Sequence, residues 1–180
     1  ILIPAFSVGR TQHVVLALGN LMRTGAVEKL PIYVDSPLST RATKVMAQHA
    51  EVYDDETRGI LEAGRNPFFF DGVRYVADPE ESKALNGMRS GVIISASGMC
   101  EAGRVLHHLK QTIGRPEDCV LMVGYQAQGT LGRKLLTGYE YVKIFGERHR
   151  VRCKVRSIGG LSAHADCLLY TSPSPRDGSI

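Results

Sequence analysis

No apolar run in this sequence reaches the roughly 18 residues that cross a bilayer, and no charged-then-apolar stretch resembles a signal peptide. A soluble, cytoplasmic protein without a membrane partner is therefore expected. Four cysteines occur in 180 residues. Cys100, Cys119 and Cys153 stand far apart, without a C-x-x-C spacing, which argues against both a structural zinc site and a disulfide framework and leaves buried thiols. Neither a G-x-G-x-x-G nor a P-loop pattern is present to hold a nucleotide. What is present is 43% apolar residue content and a net charge of +4, enough for one globular domain or a large piece of one.

Both ends read as artificial. The chain opens on Ile1-Leu2-Ile3-Pro4, the middle of an apolar strand without an initiator Met, so an upstream part is expected. Residues 167–180 contain a stretch resembling a translated sequencing adapter and are set aside from fold reasoning.

Between these ends the sequence alternates strand and helix patterns. Apolar β-rich runs fall at residues 1–3, 31–35, near Tyr75, at 92–95 and at 120–123. Helical spacing falls at 11–23, with Val14, Val15, Leu18, Leu21 and Met22 inward, and at 39–49, with Ala42, Val45 and Met46 inward. Further helices are expected over 56–63 and from Pro79. Near-continuous apolar strands followed by glycine-containing turns and helices predict an α/β fold with a parallel, doubly wound sheet.

Four strand ends share one device: small residues, then a helix that starts near a cation. They are Ser7-Val8-Gly9-Arg10, the turn from Ser36 to Arg41, the turn from Ser97 and Gly98 to Arg104, and the turn from Gln128 to Lys134. Helix N-termini on the carboxyl edge of a parallel sheet suit an anionic ligand, so Arg10, Arg41, Ser97, Gly98 and Arg104 are candidate phosphate contacts. Ordinary helix capping explains any one of these turns equally well.

Arg148, Arg150, Arg152, Lys154 and Arg156 alternate with less polar residues. Period two predicts one strand with its cations on one face, about 26 Å long, paired as a hairpin with residues 139–145. Such a row suits a nucleic-acid backbone, and a solvated edge strand is the alternative. His107 and His108 have no partner at i+4, and with His13, His49 and His149 they receive no ligand role.

The run Gly160-Leu161-Ser162-Ala163-His164-Ala165-Asp166 sets a histidine among small residues, with Ser162 or Asp166 able to fix its tautomer. It is either an exposed acid–base or phosphate-contacting group, or a histidine bonded within a turn.

Together these segments carry a resemblance. Residues 3–12, Tyr33-Val34-Asp35-Ser36-Pro37-Leu38, Ser95-Ala96-Ser97-Gly98-Met99-Cys100, residues 124–132 and residues 160–166 resemble, in order, the motifs of β-CASP nucleases of the metallo-β-lactamase superfamily. The resemblance implies a β-CASP domain inserted in a metallo-β-lactamase domain, capping a two-zinc site with single-stranded RNA in the cleft between them. It assigns residues 1–138 to the β-CASP domain and 139–166 to a hairpin-led return into the metallo-β-lactamase domain. His164 matches the family's motif B histidine, which protonates the leaving oxygen or stabilises charge at the scissile phosphate; Asp166 accompanies it. Ser162, Arg150, Arg152 and Lys154 join the expected RNA contacts. The zinc-ligand motif has no match in this sequence, so both zinc ions are expected outside the chain, which would be inactive alone, as part of an RNA-hydrolysing enzyme able to form a homodimer. A non-catalytic RNA-binding relative, a DNA-directed nuclease and an unrelated sugar-phosphate or nucleotide-binding domain stay open as alternatives.

Overall fold

The computed structural model describes residues 1–160; Ser162, His164 and Asp166 lie outside the described residues. β1 (Leu2–Pro4) leads into α1 (Arg10–Arg23), and β2 (Ile32–Asp35) into α2 (Pro37–Gln48). α3 (Asp55–Glu62), β3 (Val73–Tyr75) and α4 (Pro79–Ala84) precede β4 (Val92–Ser95) and α5 (Arg104–Thr112). β5 (Cys119–Met122) and α6 (Leu131–Leu136) are followed by β6 (Tyr141–Ile144), β7 (Glu147–Arg150) and β8 (Lys154–Ser157). Local chemistry sets the helix starts: Ser36, Asp54, Asp78 and Thr130 each accept a first-turn backbone N–H, and Pro37 and Pro79 occupy positions where no donor is needed.

Six strands form one parallel sheet in the order β3-β2-β4-β1-β5-β8. Successive residues divide between its two faces, as strand geometry requires. Ile3, Ile32, Val34, Val92 and Ile94 pack under α1 with Val14 and Val15. Leu2, Ile93, Val120 and Met122 pack on the other face with Val105 and Leu109 of α5 and Leu131 and Leu135 of α6. The doubly wound α/β architecture is thus as expected. Cys100 and Cys153 are buried thiols, pushed up by burial to about 12 and about 11, and Cys119 is half-buried.

Two local expectations give way. α2 turns Ser39, Thr40 and Thr43 inward and leaves Val45 exposed. The cause is Gln12, buried on α1, whose Nε2 donates to Thr43 Oγ1 at 2.8 Å and to Ser7 O at 3.1 Å, so the seam between the helices is polar. Leu21, expected inward, is also exposed.

The cationic row is not one strand. β6 and β7 do form the antiparallel hairpin, closed by Phe145 and Gly146 at φ 51 and 80, the left-handed pair that matches hairpin twist. The chain then leaves it: Val151 N donates to Glu140 O, while Arg152 N and Cys153 N both donate to Ile113 O at the end of α5. Burial of Cys153 carries the chain across to β5, where Lys154 begins β8 as the sheet's sixth strand. Arg148 and Arg150 stand on the hairpin, and Lys154 and Arg156 on the sheet edge.

Gly19 lets Phe70 lie against α1, since a Cβ there would sit 2.8 Å from the ring. Alanine normally stabilises a helix interior by up to about 1 kcal/mol over glycine. Gly19→Ala is expected to destabilise the wild type but to stabilise a Phe70→Ala background, so the sign of the change reverses in a urea-denaturation cycle.

Candidate functional site at the carboxyl edge of the sheet

Asp35 ends β2 with its side chain fully buried. Oδ1 accepts from Arg104 Nη1 at 2.6 Å; Oδ2 accepts from Ser82 Oγ at 2.5 Å and lies 2.6 Å from His108 Nε2. A carboxylate only accepts, so Nε2 donates; His108 Nδ1 faces Asn86 Oδ1 at 2.9 Å. Burial by itself would raise the Asp35 carboxyl, but the hydrogen bonds from His108, Ser82 and Arg104, with the charge of His108, hold it below the usual carboxylate range.

Arg104 opens α5, and its Nη2 also donates to Ala77 O at 2.8 Å. This fixes one end of the loop 97–103. The other end is closed by Ser97, whose Oγ accepts from Glu101 N and Ala102 N while its own N–H donates to Ala102 O. Gly103, at φ 88, completes the closure; a Cβ there would lie 2.6 Å from Ala96 O. Gly98 is buried against the backbone of Ala5 and Phe6. The Ser7 and Ser36 hydroxyls meet at 3.3 Å.

These elements enclose a cleft of about 420 Å³ on the carboxyl edge, lined by Ser7, Ser36, Arg41, Ser97, Gly103 and Arg104. Of the expected phosphate contacts, the cleft brings together Arg41, Ser97 and Arg104. Gly98 lies beneath its wall, and Arg10 begins α1 outside the lining. The Ser97 hydroxyl serves its own loop and the Arg104 guanidinium serves Asp35, so both build the cleft wall and Arg41 is its exposed cation. Arg150 pairs with Glu140 at 3.1 Å on the hairpin, and Arg152 and Lys154 are exposed beyond it, away from this cleft. β8 runs parallel to β5, so the chain reaches Gly160 from the same carboxyl edge.

No group of three or more His, Cys, Asp or Glu able to hold a metal exists among the described residues. No helix among them is long and apolar enough to cross a membrane. Residues 11–135 match the family model described as Beta-Casp domain.

The chain belongs to the β-CASP family. It is 36% identical over 166 residues to "Ribonuclease TTHA0252" of Thermus thermophilus, covering 92% of this chain and 38% of that protein. It is 34% identical to the "RNase J-like protein" of Methanocaldococcus jannaschii, covering 92% and 37%, and 31% identical to "Transcription termination factor FttA" of Methanothermobacter thermautotrophicus, covering 92% and 27%. The chain thus spans well under half the length of these relatives. An unrelated sugar-phosphate or nucleotide-binding domain no longer stands as an alternative.

Sequence reasoning missed Asp35 and His108. The sequence offered one signal, an acidic residue ending an apolar strand at Asp35-Ser36-Pro37; its histidine partner lies 73 positions away. In this β-CASP chain, Asp35→Asn is expected to cost about 3–5 kcal/mol at neutral pH, because Arg104 and His108 lose a buried partner. The carboxyl is lowered on folding, so its contribution is present above the ordinary value near about 4 and drains as pH falls below it. Urea unfolding of wild type and variant at neutral pH and well below 4 should show the gap closing; a gap independent of pH contradicts the clamp.

Proposed function

We propose that this chain is the β-CASP portion of a zinc-dependent ribonuclease that hydrolyses RNA phosphodiester bonds. The observation that supports it is the 34–36% identity, over 92% of the chain, to proteins named as a ribonuclease and an RNase J-like protein. The cleft at the carboxyl edge agrees with it, since helix N-termini and Arg41 both favour an anionic backbone.

In this reading residues 1–138 form the β-CASP domain and residues 139–166 return toward the metallo-β-lactamase domain. Single-stranded RNA lies along the carboxyl edge. Arg10 and Arg41 meet its phosphates, Ser97, Gly98 and Arg104 shape the wall, and Arg150, Arg152 and Lys154 follow the backbone further out. His164, oriented by Asp166 and Ser162, gives its proton to the leaving oxygen as the phosphodiester breaks. Zinc would supply activated water and charge stabilisation from residues other than the described ones. The chain alone is inactive, and the longer protein works in the cytoplasm, with room for a homodimer. The name of the archaeal termination factors favours a second reading, in which the same contacts hold a transcript during release.

In the longer protein, His164→Ala is expected to lower RNA turnover about 10²–10⁴-fold with zinc content unchanged. Loss of zinc or unchanged turnover overturns the assignment, and metal-dependent cleavage by the purified 180-residue chain overturns its inactivity. Reversing Arg150, Arg152 and Lys154 to Glu should weaken single-stranded RNA binding and flatten its salt dependence; unchanged affinity and slope refute the backbone contacts.

A further inference from the structure

A second cleft, of about 530 Å³, lies on the other flank of the loop 97–103. Cys100 and Glu101 of that loop form one wall, the start of α6 another, and the hairpin β6–β7 the third. Its volume falls in the range of sites that hold small ligands. The lining combines two kinds of side chain. Tyr139, Tyr141 and Phe145 are 55, 37 and 53% exposed, and Lys134, Lys143 and Arg148 stand among them.

The hairpin's alternation explains why these groups face outward. Val142 and Ile144 are buried in the core, so Tyr141, Lys143, Arg148 and Arg150 share the opposite face. Lys143 stands directly opposite Arg148, a like-charge pair that costs stability across two strands. The nearby carboxylates are already engaged: Glu140 with Arg150, Glu147 with Lys110, and Glu101 with the Leu131 N–H at 2.5 Å. Among the described residues neither Lys134 nor Lys143 has an ion pair. The Arg148 guanidinium lies 4.0 Å over the Tyr141 ring, and Phe145 leans on His107 with ring centroids 4.7 Å apart. The result is a set of exposed rings, two of them braced by Arg148 and His107, interleaved with cations that have no ion pair among the described residues.

Flat aromatic faces beside cations are the means by which proteins hold single-stranded nucleic acid: bases stack and phosphates are neutralised. A duplex hides its base faces and offers only edges and backbone. We propose that this second cleft binds a stretch of single-stranded RNA, with bases stacked on Phe145 and Tyr139 and phosphates against Lys134, Lys143 and Arg148. The proposal rests on the ribonuclease reading for the identity of the nucleic acid. The loop 97–103 contributes to both clefts, so one RNA strand can cross from the carboxyl edge to the hairpin over a single wall.

The test uses the full 180-residue chain and a labelled oligouridylate of about ten nucleotides. Phe145→Ala and Tyr139→Ala should each weaken binding about tenfold or more, in keeping with the worth of one stacked base, while Phe145→Tyr keeps wild-type affinity. Lys143→Glu with Arg148→Glu should reduce the salt slope by about one unit or more. With no tryptophan in the chain, quenching of tyrosine emission by the RNA should report stacking and should shrink in Tyr139→Ala. Binding by wild type with these variants unaffected overturns the cleft and leaves the ribonuclease reading standing. No RNA binding by either the chain or the longer protein overturns both. Equal losses on duplex and single-stranded RNA overturn stacking. Should a variant fail to fold, photocrosslinking of 5-iodouridine RNA to the wild type decides: adducts on residues 139–145 support the proposal, and adducts only elsewhere overturn it.

Discussion

One buried carboxylate holds the carboxyl edge in shape. Asp35 takes hydrogen bonds from α4 through Ser82 and from α5 through Arg104 and His108, so two helices converge on the end of one strand. Removing such a charge from water is expensive, and only the complete set of donors offsets it. Because Arg104 is also the first residue of α5, the same clamp fixes where the loop 97–103 ends. The walls of both clefts depend on that loop.

The helix N-termini on this edge are less open than a count of turns suggests. Thr11 N on α1 donates to Phe6 O, Val105 N on α5 donates to Ala96 O, and Ser36 and Thr130 cap α2 and α6 with their own side chains. The starts of α2 and α5 line the cleft, so their partial positive charge faces it, but these first donors are committed within the protein. An anion at this edge would meet side chains and the helix field, not a cradle of free amides.

The strands and helices were legible in the sequence because buried parallel strands write themselves as continuous apolar runs, as at 92–95 and 119–122. The side chains that tie them together were not. The inward face of α2 is hydroxyl-bearing because Gln12 is buried opposite it, a fact carried by another helix. The regular alternation from Arg148 to Arg156 read as one strand. The fold breaks it at Val151 to Cys153, where the carbonyl of Ile113 and the burial of Cys153 decide the path. Arg104 read as a candidate phosphate contact; its ion pair with Asp35 is invisible until β2 and α5 are placed side by side.

The position of β1 bears on how the protein is made. Leu2 pairs with Ile93 on one side and Val120 on the other, so one of the two central strands of the sheet is also the first of the described strands to be synthesised. At roughly 5–20 residues per second, some 6–24 s separate the emergence of this apolar segment from that of its last partner. β4 emerges first and can cover one side of β1, so for the remainder of that interval only the other side of β1 is unpaired. The junction between β1 and β5 is therefore completed only late in synthesis, and until then the nascent chain depends on whatever shields that side of β1.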